Sequence, residues 1–359
     1  MSFAFAEINL ANIERNIAYI KSKVGTHVEI LAVVKANAYG HGSVEISRKL
    51  VSLNIRNLAV ATYEEAMEIK SENIHPNILI LGSITNEEII SCIKKGLLFT
   101  VYDISQLYFI DSLNLENINF HLKIDTGMNR LGLEPKEVSE SLKIISTNES
   151  LELHGVYTHL PESNLADSAF TNKQIALFES IILETKAIIP SVRFFHIANS
   201  SAIFNFSQLE LNMVRPGLAL YGLSTEKNDQ VFPLMKLKTS IVKIRNIIEG
   251  DSVSYGRTFI AKNEMQIGVI PIGYADGLPR ALSNKGRVLY GETECEILGR
   301  VCMDLTIIDL SKVTNPQIGD EIVIFGNHKV SVNKIADISE TIPYDIVCGI
   351  SKRVKRVYK

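Results

Sequence analysis

Between about residue 28 and residue 222 the chain alternates short apolar runs with longer stretches whose apolar residues recur at helical spacing. That change of period predicts repeated strand-helix units and a parallel sheet. Eight strands are predicted, at Glu29 to Lys35, Leu58 to Ala61, Asn77 to Leu81, Leu98 to Tyr102, Asn119 to Asp125, Leu151 to Thr158, Val192 to His196 and Leu211 to Arg215. Amphipathic segments such as Thr62 to Glu72, Asn86 to Gly96 and Phe170 to Ala187 lie between them, each with a capping residue and a polar face. Eight units in roughly two hundred residues suit a (β/α)8 TIM-type barrel better than an open doubly wound sheet.

Beyond about Val231 the texture changes to β-type runs at Leu237 to Ile248, Glu264 to Ile272, Arg287 to Tyr290, Cys295 to Leu310 and Glu321 to Phe325, punctuated by turn signals such as Glu249-Gly250-Asp251. The fold class is therefore α/β, a barrel with a separate C-terminal mostly-β domain. The opening segment Phe3 to Leu10 also alternates and is free to pair with that domain. The predicted division is a barrel over residues 11–230 and a β domain over 231–359 that includes the strand in residues 1–10.

Hydrophobic residues make up 46% of the chain, enough for a substantial core, and 37 basic residues nearly balance 40 acidic ones. The charges are interspersed, which points away from nucleic acid and from an anionic membrane surface and toward a small molecule or another protein chain. Cys92, Cys295, Cys302 and Cys348 lack the paired spacing of a zinc site or a disulfide framework, so no metal is expected and a reducing cytoplasm is. The first residues show no basic leader, and no apolar run reaches membrane-spanning length.

Chemistry is expected where barrel strands end at their C-terminal side. Lys35 ends an apolar strand and is followed by Ala36-Asn37-Ala38-Tyr39-Gly40-His41-Gly42. An amine at the mouth of a cavity loses hydration and becomes nucleophilic, which is what a Schiff-base lysine requires. A lone lysine at a strand end equally serves to carry its charge out to solvent. Here Tyr39 follows the same strand, Arg130 the fifth, His159 the sixth, Asn199 and Ser200 the seventh, and Arg215, Gly217 and Leu218 the eighth. Asn199-Ser200-Ser201 and Arg215-Pro216-Gly217-Leu218 occupy the last two loops, where barrels commonly hold a phosphate on backbone N–H groups. A phosphorylated cofactor is the reading.

Three segments together resemble the alanine racemase family: Ala32 to Gly42, Ser254-Tyr255-Gly256, and Gly299-Arg300-Val301-Cys302-Met303-Asp304. The resemblance covers essentially the whole chain. It implies a pyridoxal 5'-phosphate enzyme that interconverts L- and D-alanine, working as a homodimer with shared active sites and supplying D-alanine for peptidoglycan. It implies that Lys35 carries the cofactor and is the base for D-alanine, and that Tyr255 is the base for L-alanine, reaching the site from the other subunit. Arg130 is implied to lie near the cofactor oxygen and the substrate carboxylate, with Met303 of the partner subunit binding that carboxylate through its backbone N–H. Tyr39, Ser200, Gly217, Leu218 and Tyr344 are implied as the phosphate cradle, Arg215 as the residue facing the pyridine nitrogen, His159 as its link to Tyr255, and Tyr274 as an entrance gate.

The chemistry suits that assignment, because racemisation needs a base on each face of the α-carbon with a cofactor delocalising charge between them. Lysine and tyrosine both titrate normally near pH 10, so each must be lowered to act near neutral pH. The sequence departs from the family pattern at Asn129, where glycine is usual, in Thr158 to Ser163, and at Ser201, which bears on the shape of the substrate pocket. Lys123 sits where some members carry a carboxylated lysine. Alternatives are a racemase of the same fold acting on serine or basic amino acids, a decarboxylase on a related scaffold, and a non-catalytic protein of cofactor homeostasis.

Overall fold

The computed structural model describes residues 4–165, 168–206, 211–223 and 230–359, so parts of the predicted barrel range and residues 1–3 of the predicted opening strand lie outside the described residues. Eight parallel strands form one sheet: Glu29–Val33, Asn57–Val60, Asn77–Ile80, Leu98–Val101, Ile118–Lys123, Leu151–Tyr157, Phe194–His196 and Met213–Val214. Each lies within two residues of its predicted bounds, the first strand ending two residues early at Val33 and the last spanning only Met213–Val214 of the predicted Leu211 to Arg215. They follow one another in chain order, with Met213–Val214 returning to lie beside Glu29–Val33. Helices such as Tyr63–Ser71, Asn86–Lys95 and Ala169–Ile188 cover the outside, begun by Thr62, Thr85 and Ser168, whose side-chain oxygens accept backbone N–H groups.

Strand residues Leu58, Phe99, Val101, Phe120, Leu122 and Val156 are fully buried, as both faces of the sheet are covered. Among the described residues the one seam of this sheet without a strand ladder lies between Phe194–His196 and Met213–Val214. Asn212 closes it as a surrogate strand residue: its Oδ1 accepts from Phe195 N at 2.9 Å and its Nδ2 donates to the Arg193 carbonyl. Further along, Arg215 N donates to Ala198 O at 2.9 Å.

The rest of the chain builds a six-stranded sheet in the order Thr293–Glu296, Arg287–Tyr290, Glu321–Phe325, Met235–Ser240, Phe5–Ile8, Lys355–Tyr358, and a three-stranded sheet of Lys243–Ile247, Met265–Ile270 and Thr306–Asp309. Phe5–Ile8 runs antiparallel to Met235–Ser240 and parallel to Lys355–Tyr358. Two long predicted runs are each divided. Leu237 to Ile248 supplies strands of different sheets, because the chain turns at Ile241, which pairs with Asp320 and Gly319. Cys295 to Leu310 is opened by the loop at Gly299, whose φ of 70° and tight approach to Val253 suit only glycine. Apolar runs do not show where a strand leaves one sheet for another. Helices Val332–Ile338 and Pro343–Cys348 complete the domain, signalled by Ser331 as N-cap and Pro343 in the first turn. Among the described residues no helix is long and apolar enough to cross a membrane.

The local geometry that matters most follows the first barrel strand. The sequence pattern puts Lys35 at the end of that strand before a glycine turn; in the structure the strand stops at Val33, and Ala36, Asn37, Ala38 and Tyr39 all have φ between 51° and 54°. Bonds from Ala38 N to Val34 O (2.9 Å) and from Gly40 N to Ala36 O (3.0 Å) make this one turn of left-handed helix. For residues with a Cβ that hand costs roughly 1–2 kcal/mol each. The turn persists because its surroundings dictate it: the Glu65 carboxylate accepts from Ala36 N at 2.6 Å and Ala61 N at 2.7 Å, and Asn37 Oδ1 accepts from Ser43 N at 2.9 Å. Gly40 and Gly42 then pass so close to Val347 and Tyr358 that a Cβ on either would overlap them, which docks the turn on the β domain.

His41 and His121 are buried and held neutral, with burial pushing the His41 imidazole down to about 4 and His121 down to about 3 from 6.5. The folded state refuses a proton that the unfolded chain takes up below pH 6.5, so the stability these groups contribute is full above that pH and is lost as pH falls toward 4. Denaturant midpoints measured from pH 7 to pH 4.5 are expected to fall, by on the order of 1.4 kcal/mol per pH unit for each histidine. A flat profile, or one unchanged by His41→Gln, contradicts this account.

Candidate active site

The C-terminal rim of the barrel gathers most of the residues singled out in the sequence. Lys35 leaves the first strand into the left-handed turn. Its amine is lowered by burial first, then by Arg130, while Glu65 and Cys348 act in the opposite direction. Arg130 sits on the loop between Lys123 and Leu133, which is pinned at its base by Leu133 N to Lys123 O (2.9 Å) and internally by Asp125, whose carboxylate accepts from Gly127 N (2.8 Å) and Arg130 N (3.1 Å). Asn129, at φ 55°, takes the left-handed conformation that asparagine tolerates, so this departure from glycine leaves the loop's backbone attainable.

Arg215 is 3% exposed and densely hydrogen-bonded. Its Nη1 donates to His196 Nδ1 (2.9 Å) and His196 O (2.8 Å); its Nη2 donates to Thr158 O (2.7 Å), Ile197 O (3.2 Å) and His159 Nδ1 (3.3 Å). Burial brings the guanidinium down to about 10, still protonated at neutral pH. His159 is pushed down to about 3 by burial, then by Arg215 and Arg130, so it is neutral; with Nδ1 accepting from Arg215, its proton lies on Nε2. The same logic continues inward. His196 Nδ1 accepts from Arg215, leaving its Nε2–H to donate to His121 Nδ1 at 2.9 Å.

A cradle occupies the last two loops. Ser200 Oγ accepts from Gly217 N (2.9 Å) and Ala219 N (3.2 Å), and Asn199 Oδ1 caps the next helix at Ala202 N (3.0 Å) while accepting from Ser163 Oγ (2.8 Å). Leu218 begins the short helical turn that follows Gly217. A Cβ on Gly217 would come within 2.5 Å of the Tyr39 hydroxyl, so glycine there keeps open a space between that hydroxyl and the loop. Tyr344 closes the side, its ring centroid 5.6 Å from that of Tyr39. Burial pushes both phenols up, so they are neutral donors.

These groups fit pyridoxal phosphate. The cradle offers the hydroxyls of Tyr39, Ser200 and Tyr344 to a phosphate, Lys35 offers a lowered amine to an aldehyde, and Arg215 Nε is its one guanidinium nitrogen without a partner among the described residues. Lys123, buried beneath, is pushed down to about 8 by burial, then by Arg130 and Arg215.

Tyr255 and Met303 are not brought to this rim. They lie in the β domain, 71% and 53% exposed, and the Tyr255 hydroxyl has no hydrogen-bond partner among the described residues. The backbone nonetheless holds both firmly. Ser254 (φ 64°) and Gly256 (φ 70°) flank Tyr255, the Ser254 hydroxyl donates to Arg300 O at 2.6 Å, and Met303 O accepts from Ala275 N at 3.0 Å beside Tyr274. Sequence reasoning missed Glu65, Asp125, His196 and His121, which act through other residues; the Thr62-x-x-Glu65 cap spacing was the available signal for the first.

Residues 8–225 match the N-terminal domain family of alanine racemase, and residues 234–358 match its C-terminal domain family. Alanine racemase 2 of Caldanaerobacter subterraneus subsp. tengcongensis is 40% identical over 98% of this chain and 94% of its own length. Alanine racemase of Methanococcus maripaludis is 37% identical over 99% and 98%. Among solved structures, alanine racemase from Clostridium difficile 630 superposes with a TM-score of 0.92 at 34% identity, covering 100% of this chain and 96% of that one. Alanine racemase from Bartonella henselae, which has covalently bound pyridoxal phosphate, gives 0.91 at 30% identity, covering 100% of both. Matched along both domains and through its full length, the chain belongs to the alanine racemase family.

Proposed function

We propose that this chain interconverts L- and D-alanine on pyridoxal 5'-phosphate, with Lys35 and Tyr255 as bases on opposite faces of the substrate. The observation that carries the reading is the half-buried Lys35 amine, lowered by desolvation and by Arg130, on the same barrel rim as the buried, densely hydrogen-bonded Arg215. Lys35, Tyr39, Asn199, Ser200, Gly217, Leu218 and Tyr344 would hold the cofactor, which would supply an electron sink that makes the α-proton acidic.

Lys35 moves the proton on the D face, its amine lowered by desolvation and by Arg130 toward the neutral form that a base requires. Arg215 would offer its Nε–H to the ring nitrogen of a bound cofactor, and because a guanidinium does not surrender that proton the sink would stay weak and side reactions would be limited. Arg130 binds the substrate carboxylate, its position fixed by the Asp125 loop. The exposure of Tyr255 and Met303, 71% and 53%, supports reading the other base as one supplied by a second copy. In a homodimer Tyr255 of the partner subunit covers the L face, where the His159 Nε2–H donates to it, and Met303 of the partner subunit gives its backbone N–H to the carboxylate. Such an enzyme belongs in the cytoplasm, where D-alanine feeds peptidoglycan synthesis.

Purified protein given pyridoxal 5'-phosphate and L-alanine is expected to form D-alanine without pyruvate in a chiral separation. Turnover confined to serine or a basic amino acid moves the substrate, and decarboxylated or no product overturns the reading. Tyr255→Phe is expected to slow α-proton exchange from L-alanine by about 100-fold or more while affecting D-alanine less; equal loss on both sides argues against two bases. Mixing inactive Lys35→Ala with inactive Tyr255→Phe chains is expected to regenerate activity after subunit exchange, since one site of each mixed dimer regains both bases. No recovery despite demonstrated exchange would exclude a shared site.

A further inference from the structure

The end of the barrel opposite the catalytic rim holds a cavity of about 350 Å³ at the N-terminal ends of the strands. Two walls of opposite character face it. Glu29, Asn57 and Asn77 begin three successive strands and form an amide ladder, Asn77 Nδ2 donating to Asn57 Oδ1 at 2.9 Å and Asn57 Nδ2 reaching Glu29 Oε2 at 3.5 Å. His121, His154 and Arg193 line the other side. They are close enough to feel one another: His154 helps lower His121, and Arg193 helps lower His154.

No ion pair among the described residues involves Glu29 or Arg193, while His154 faces Glu152 at 3.7 Å. A carboxylate and a guanidinium, both reaching solvent, thus line the mouth of one polar cavity without charged partners among the described residues. Between them His121 offers a donor. Because Arg215 donates to His196 and His196 donates on to His121 Nδ1, the His121 proton is fixed on Nε2, the nitrogen left for a ligand. The volume falls within the range of small-molecule sites.

We propose that this basal cavity is a second ligand site, for a zwitterion of amino-acid or short-peptide size, with its carboxylate on Arg193 and His121 and its ammonium on Glu29. The occupant also speaks to the catalytic rim. An anion accepting from His121 Nε2–H polarises the chain through His196 and strengthens the bond that His196 accepts from Arg215, as linked hydrogen bonds reinforce one another. The site itself rests on the basal residues alone and does not depend on the racemase reading.

The test is a titration of the cofactor-loaded protein, with histidine ring nitrogens labelled with ¹⁵N, by glycylglycine and separately by β-alanine, which distinguish a peptide-length from an amino-acid-length occupant. One of the two is expected to shift the His121 and His196 nitrogens saturably, with His121→Gln identifying the His121 signal. The half-saturation concentration is expected to rise roughly tenfold or more in Arg193→Gln and in Glu29→Gln, the loss of one charge-assisted contact each. No saturable shift by either probe, or the same half-saturation in both variants, overturns the proposal. So does an equal response to sodium acetate, which carries no ammonium for Glu29. Binding at the rim is recognised separately by a change in the cofactor's visible absorbance that persists in both variants.

Discussion

The structure depends on keeping one charge, the Arg215 guanidinium, in a nearly waterless place. A buried cation is tolerated only when hydrogen bonds replace its hydration, and Arg215 has no carboxylate to pair with among the described residues. Its replacements are carbonyl oxygens of Thr158, His196 and Ile197 and the unprotonated Nδ1 atoms of His196 and His159. Those acceptors come from the sixth and seventh strand ends, and Arg215 itself follows the eighth, so the ion's solvation is also the clasp across the seam of the barrel sheet that lacks a strand ladder. The same demand fixes each histidine in one tautomer. Barrel closure, the neutral state of His159 and the free Nε–H are consequences of a single desolvation problem.

Strain is distributed with the same economy. The residues that follow Lys35, from Ala36 to Tyr39, hold a left-handed turn, and positive-φ residues flank Tyr255, so the two proposed bases sit on some of the least relaxed backbone in the chain. In both places neighbouring groups over-determine the geometry: Glu65 and Asn37 for the first, Arg300 and the glycine approaches for the second. A base that must meet one face of a small substrate gains from a backbone with nowhere else to go.

Much of this was legible in the sequence because apolar periodicity reports burial, and burial dictates a barrel. Strands beginning near Glu29, Asn77 and Leu151 were readable as runs, and polar residues just after them as a rim. The left-handed turn was not, since Ala36, Asn37 and Ala38 have no local reason to adopt positive φ; Glu65, 29 positions beyond Ala36, imposes it. His121 and His196 looked like ordinary strand residues, because a run of apolar neighbours says that a histidine is buried but not what it bonds. The split of Leu237 to Ile248 between two sheets was likewise invisible to pattern.

The placement of Phe5–Ile8 between Met235–Ser240 and Lys355–Tyr358 has a consequence for how the molecule is made. On the ribosome this strand emerges well before its partners and waits, unpaired on both edges, until they appear; at roughly 5–20 residues per second that interval lasts tens of seconds. The barrel can close in the meantime, but the β domain cannot be completed until Lys355–Tyr358 is released, and with it the wall that docks Gly40 and Gly42. Cofactor capture by the nascent chain is thereby deferred until Lys355–Tyr358 has been made, and the early strand is the segment a chaperone has most reason to shield.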